Sequence, residues 1–90
     1  MPLTAEQSSF LLRVGGNVRR LRVAKKLTQE RLAELVSVNT RTIQKIEAGR
    51  LNVLATTLER LRLALKCDWE ELMDDSSKPP IGLTRKSGSG

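Results

Sequence analysis

The sequence contains no histidine and no tyrosine, and only one each of cysteine, tryptophan and phenylalanine. Without His, a zinc site of mixed Cys and His ligands is excluded, and a lone Cys67 can close no internal disulfide. Cys67 reads instead as a small apolar residue at the end of a helix. The scarcity of aromatics argues against a sheet built on aromatic and β-branched pairs, and against RNA binding by base stacking. There is no phosphate-cradling glycine loop, no metal cluster and no carboxylate pair set in an apolar pocket, so neither catalysis nor a cofactor, metal or small-molecule ligand is expected. No run of about 18 apolar residues is long enough for a bilayer span, and the first residues lack the basic, apolar and small-residue order of a signal peptide. A soluble, cytoplasmic protein with no membrane partner is the expectation.

What is present is mostly Leu, Val and charge. Ninety residues are enough for one small core, and the apolar positions recur at helical intervals. Residues 1–50 carry ten Lys/Arg against four Asp/Glu, whereas residues 51–75 carry three against six. A basic half followed by an acidic segment suits a local basic face better than a surface that coats a polyanion throughout.

Five helices are predicted. Thr4-Ala5-Glu6-Gln7 has capping-box spacing, and Leu11, Val14, Val18, Leu21 and Ala24 mark one face of the helix that follows. Gly15-Gly16 weakens it by roughly 1 kcal/mol per glycine, which predicts a bend there or a start only beyond it. Thr28 caps a short second helix, Gln29 to Val36, with Leu32, Ala33, Leu35 and Val36 on its buried side. Ser37-Val38 forms a turn, Asn39 caps a third helix with Ile43 and Ile46 inward, and Gly49 ends it. A fourth helix from about Leu54 to Lys66 presents Leu58, Leu61, Ala64 and Leu65 to the core. Asp68 caps a fifth through Met73, with Trp69, Leu72 and Met73 completing the core. Residues 1–13 are read as a helical N-terminal extension, 14–73 as the domain and 74–90 as a flexible tail, its last Ser-Gly repeat linker-like.

Two short helices joined by a three- or four-residue turn have the geometry of a helix-turn-helix, whose second member fits the DNA major groove. Val18-Arg19-Arg20-Leu21-Arg22, Leu27-Thr28-Gln29-Glu30-Arg31-Leu32-Ala33, Thr42-Ile43-Gln44-Lys45-Ile46-Glu47-Ala48-Gly49-Arg50, Thr57-Leu58 and Leu61 to Leu65 follow one another at the spacing of a known family. On these segments, residues 14–73 resemble the Cro/repressor-type (XRE-like) helix-turn-helix family of bacterial and phage transcriptional regulators. Val53, where many members have Pro, and Ser9-Phe10-Leu11-Leu12 ahead of the glycine pair further resemble the controller proteins of restriction-modification systems.

The resemblance implies an all-α, five-helix bundle of the lambda-repressor-like type with a central helix-turn-helix. It also implies roles for individual residues. Thr40, Arg41, Gln44 and Lys45 are the expected readers of base edges. Arg41 can hold guanine O6 and N7 with two hydrogen bonds, Lys45 can reach guanine, and Thr40 can bond a base or touch a thymine methyl. Gln29, Asn39, Arg50 and Asn52 are assigned to phosphate, Gln29 at a helix N-terminus where backbone amides favour an anion, with Arg19 and Arg20 as helpers. Arg22 and Glu47 match the pair that ties the first helix to the end of the third. The function implied is recognition of a palindromic operator in double-stranded DNA by a homodimer, whose contact surface is expected near Leu63, Cys67, Trp69 and Leu72 if these are not core. The alternative is an antitoxin-like or adaptor protein whose fold chiefly binds a protein partner.

Overall fold

The computed structural model describes residues 3–74. Within them the chain forms α1 (Ala5–Ala24), α2 (Gln29–Val36), α3 (Thr40–Glu47), α4 (Ala55–Leu65) and α5 (Trp69–Met73), and no strand. The tail from residue 75 and its Ser-Gly repeat lie outside the described residues.

Helix α1 opens as its capping box dictates: Thr4 Oγ1 accepts from Gln7 N at 3.1 Å, and Thr4 N donates back to Gln7 Oε1 at 2.9 Å. It then runs through Gly15-Gly16 without a break for 20 residues. The extension read from residues 1–13 is therefore, from Ala5 onward, the first half of α1, and it contributes Leu11 to the buried set. The glycine pair was expected to weaken this stretch, but Gly15 meets the end of α3. A Cβ there would overlap the carbonyl oxygen of Ile46 and lie 2.9 Å from that of Glu47. Gly16, one position on, faces open space.

The core joins Val14, Val18 and Leu21 of α1 to Leu32 and Val36 of α2, Ile43 and Ile46 of α3, and Leu61 and Leu65 of α4, with Leu72 of α5 closing the end. Leu58, Ala64 and Met73 pack on its margin, half-buried. Three residues expected inside are outside. Ala24 is exposed in the last turn of α1. Leu35 falls off the Leu32–Ala33–Val36 stripe that α2 buries. Trp69, the first residue of α5, is exposed with Arg62 stacked on its ring at 5.2 Å. Cys67 is buried, and that burial, with Glu71 and Asp68 adding, raises its thiol above the ordinary pKa, so it stays protonated as a core residue.

Among the described residues the core contains one buried polar side chain, and it has a defined task. Asn17 sits on the inward face of α1 and donates through Nδ2 to Leu72 O at 2.8 Å and Asp74 O at 2.7 Å, the carbonyls that the end of α5 leaves without helical partners. Arg20 Nη2 in turn donates to Asn17 Oδ1 at 2.7 Å. A five-residue helix has little stability of its own, so this clamp and Leu72 hold α5 to the bundle. Asn17→Ala is expected to cost about 1–3 kcal/mol, because the buried carbonyl of Leu72 and the part-buried one of Asp74 are left without a donor. Urea unfolding followed by the fluorescence of the single tryptophan measures it; an unchanged midpoint would mean that the clamp does not hold α5.

Candidate nucleic-acid interface

Local sequence accounts for the α2–turn–α3 unit. Thr28 Oγ1 accepts from Arg31 N at 2.9 Å to start α2, and Ser37, at φ 64°, ends it in the left-handed conformation. Two residues later Asn39 Oδ1 accepts from Thr42 N at 2.9 Å and from Thr42 Oγ1 at 3.0 Å, which starts α3. Ile43 and Ile46 are fully buried, so an eight-residue helix has one apolar edge and must turn Arg41, Gln44 and Lys45 outward.

The end of α3 adds a fourth side chain to that face. Gly49 takes φ 71°, its N–H reaching Ile46 O at 3.0 Å, and the next N–H, of Arg50, reaches back to Lys45 O at 2.9 Å. This double closure turns the chain sharply and brings Arg50 beside Lys45. Arg41, Gln44, Lys45, Ala48 and Arg50 together line one shallow, open hollow. Among the described residues none of its three cations is ion-paired. The one carboxylate of α3, Glu47, is turned away: its side chain is 4% exposed and held by Arg22 Nε at 2.7 Å, Arg22 Nη2 at 3.2 Å and Gln29 Nε2 at 3.1 Å. Arg22 also donates to Leu27 O at 2.8 Å, which ties α1, the α1–α2 connection, α2 and the end of α3 together. The same arrangement thus braces α3 and leaves its outer face basic and free of carboxylates.

The expected site residues divide into groups. Arg41, Gln44, Lys45 and Arg50 share the hollow, while Thr40 is half-buried at the first position of α3 and does not line it. Asn39 has its side-chain oxygen committed to the cap, leaving its amide N–H groups as donors. Gln29 has one amide N–H engaged by Glu47 and a second left over. Asn52 is exposed but lies apart from Arg50, in a hollow with Leu3, Glu6, Gln7, Phe10 and Leu11 of the α1 end. Of the two helpers, Arg20 is held by Asn17 and Arg19 is exposed.

Sequence reading missed two features. The bond from Gln29 to Glu47 crosses between helices, and no local pattern announces it. Asn17 was legible, since it is a polar residue at the spacing of Val14, Val18 and Leu21.

A bundle in which two short helices, joined by a tight turn, present the second outward is a helix-turn-helix protein. Residues 18–72 match the helix-turn-helix family, and the chain belongs to it. The restriction-modification controller protein C.AhdI from Aeromonas hydrophila is similar in structure and sequence, with TM-score 0.68 and 34% identity over 71% of this chain and 97% of that one. A hypothetical transcription factor, NHTF from Neisseria, shares the fold at TM-score 0.70 and 22% identity, covering 96% of this chain and 95% of that one. No curated protein matches. The resemblance drawn from the motifs of residues 14–73 is borne out.

Proposed function

We propose that this chain is a sequence-specific double-stranded DNA-binding transcriptional regulator that reads a palindromic operator in the major groove as a homodimer. The observation that carries the proposal is the hollow on the outer face of α3, where Arg41, Gln44, Lys45 and Arg50 converge with no carboxylate among them. Two arginines, a lysine and an amide are the donors that guanine edges and phosphates accept, and a helix this slim fits the groove. Likeness to a restriction-modification controller protein supports the regulatory role. The proposed mechanism is binding alone, in the cytoplasm, without catalysis, metal or cofactor. Gln29, Asn39 and Arg50 hold phosphate around the α3 insertion, and Thr40, Arg41, Gln44 and Lys45 meet base edges. Asn52 is a peripheral phosphate ligand.

Pairing supports a domain of this size, because two half-sites double the contact area and the length of sequence read. Of the side chains expected at the contact between copies, Cys67 and Leu72 are buried, whereas Leu63 and Trp69 are exposed by 57% and 44%. Trp69, the exposed aromatic of α5, is proposed as an anchor of the dimer contact, since aromatic side chains are enriched at the centre of such contacts. Two copies on one face of B-DNA would place their reading helices about 34–36 Å apart, or at a multiple of it.

Reading and clamping fail differently, which provides the test. Arg41→Ala is expected to cost roughly 1–3 kcal/mol on the selected duplex and far less on random DNA. Arg50→Ala should weaken both duplexes alike and make the slope of log K against log salt shallower by about 0.9 for each phosphate no longer neutralised. Binding curves at several salt concentrations, on a duplex selected from a random pool, measure both. A pool that yields no preferred sequence would overturn sequence-specific binding, and a preferred site without symmetry would overturn the homodimer.

A further inference from the structure

Away from the α3 face, the α1–α2 connection, α2 and the end of α4 line a second, open hollow of about 610 Å³, whose apolar floor includes Leu27, Leu35 and Leu63 and whose rim carries Lys25, Arg31 and Lys66. It shares no residue with the hollow of Arg41 and Arg50. Leu35 and Leu63 are exposed by 44% and 57%. Lys25 and Lys66 follow the last turns of α1 and α4, where a cation also suits the helix dipole. That accounts for two of the charges. It does not account for two leucines left open between three cations.

We propose that this hollow binds an acidic, amphipathic segment of another protein, its Leu or Phe side chains seated between Leu35 and Leu63 and its carboxylates against Lys25, Arg31 and Lys66. Charge complementarity selects the occupant: a rim of three cations with no carboxylate lining the hollow repels basic segments, and the leucines open between those cations favour an anion that also brings apolar side chains, which a DNA phosphate does not. Arg31 is held by Glu34 at 2.9 Å, but both side chains are more than half exposed, so this pair exchanges readily for a partner's carboxylate. The inference is independent of how α3 reads DNA.

The test uses the full chain and a fluorescein-labelled peptide with Leu and Phe at helical spacing among Asp and Glu, beside a control peptide with Ser in place of Leu and Phe. Fluorescence anisotropy should show binding of the first peptide and not the second. Leu63→Ser and Lys25→Glu, both at exposed positions, should each weaken it by roughly tenfold while circular dichroism and binding to the selected duplex stay unchanged. Equal binding of the two peptides, or no binding, would overturn the proposal. So would Leu63→Ser that binds as the wild type does, since the floor would then be idle. Loss of DNA affinity in Lys25→Glu alone would make the rim a phosphate site. Loss of dimers on sedimentation of Leu63→Ser would make the hollow an interface between copies.

Discussion

Gly15→Ala is expected to lower stability by about 3 kcal/mol or more, because the added methyl meets backbone and not a movable side chain. The carbonyl oxygens of Ile46 and Glu47 belong to the last turn of α3, whose inner side is fixed by Ile46 in the core. Relief requires α1 and α3 to separate, and separation opens the packing of Val14 and Val18. In a domain of this size each kcal/mol moves the melting temperature by roughly 4–8 °C, so a fall of tens of degrees, or failure to fold, is the outcome to look for. Gly16→Ala is the matched control. Its methyl points into open space on the same helix, and replacing a mid-helix glycine should raise stability by about 0.5–1 kcal/mol. Opposite signs at adjacent residues, read by thermal melts, would establish the α1–α3 approach. If Gly15→Ala melts with the wild type, that approach does not exist and the position of the reading helix needs another explanation.

Breaking the Arg22–Glu47 pair is expected to be as damaging, at about 3–5 kcal/mol for either single alanine, because each leaves a shielded charge without its partner. The two losses should differ. Arg22→Ala leaves Glu47, 4% exposed, with only the Gln29 amide; Glu47→Ala leaves Arg22, 12% exposed, still bonded to Leu27 O and nearer to water. Arg22→Ala should therefore be the worse of the two. The double variant Arg22→Met/Glu47→Leu should recover much of the loss, since an apolar pair of similar volume carries no desolvation penalty. Chemical unfolding of the two alanine singles and the apolar double measures this, and the double Arg22→Ala/Glu47→Ala closes the cycle that isolates the coupling of the pair. Singles within about 0.5 kcal/mol of the wild type would mean that the pair is solvated in solution.

Loss of the pair should reach the DNA face as well. Glu47 is turned inward by Arg22 and Gln29, and once freed it can swing toward Arg41, Lys45 and Arg50. That adds a carboxylate to a surface otherwise free of one. Arg22→Ala that still folds at low temperature should therefore bind DNA less well than stability alone explains.

Much of this protein follows from local sequence. Thr4, Thr28, Asn39 and Asp68 each bond the backbone of the turn they begin, because a short polar side chain three residues before an open N–H has little else to reach. The periodic Leu, Val and Ile positions define the inner faces, and Ile43 with Ile46 alone orients α3. The family motifs add the identities of the outward residues. These are properties of neighbours within a turn or two, and a sequence displays its neighbours.

Apart from Arg22–Glu47, which the family resemblance implied, contacts between distant segments were decided only by the tertiary structure. Gly15 and Gly16 are the same residue in the same helix, yet one is pressed against α3 and the other faces solvent, a difference set by where α1 crosses α3. Leu35 and Trp69 have the composition of core residues, and they lie outside because α2 and α5 each turn a narrower stripe inward than their apolar content allows. Arg50 joins Arg41 and Lys45 while Asn52, two residues on, goes to the α1 end, because the chain leaves the Gly49 turn in a direction that its long-range packing sets. Periodicity states which side chains share a face. It carries no information on which other helix that face will meet, or how closely, because that depends on the summed packing of the whole core.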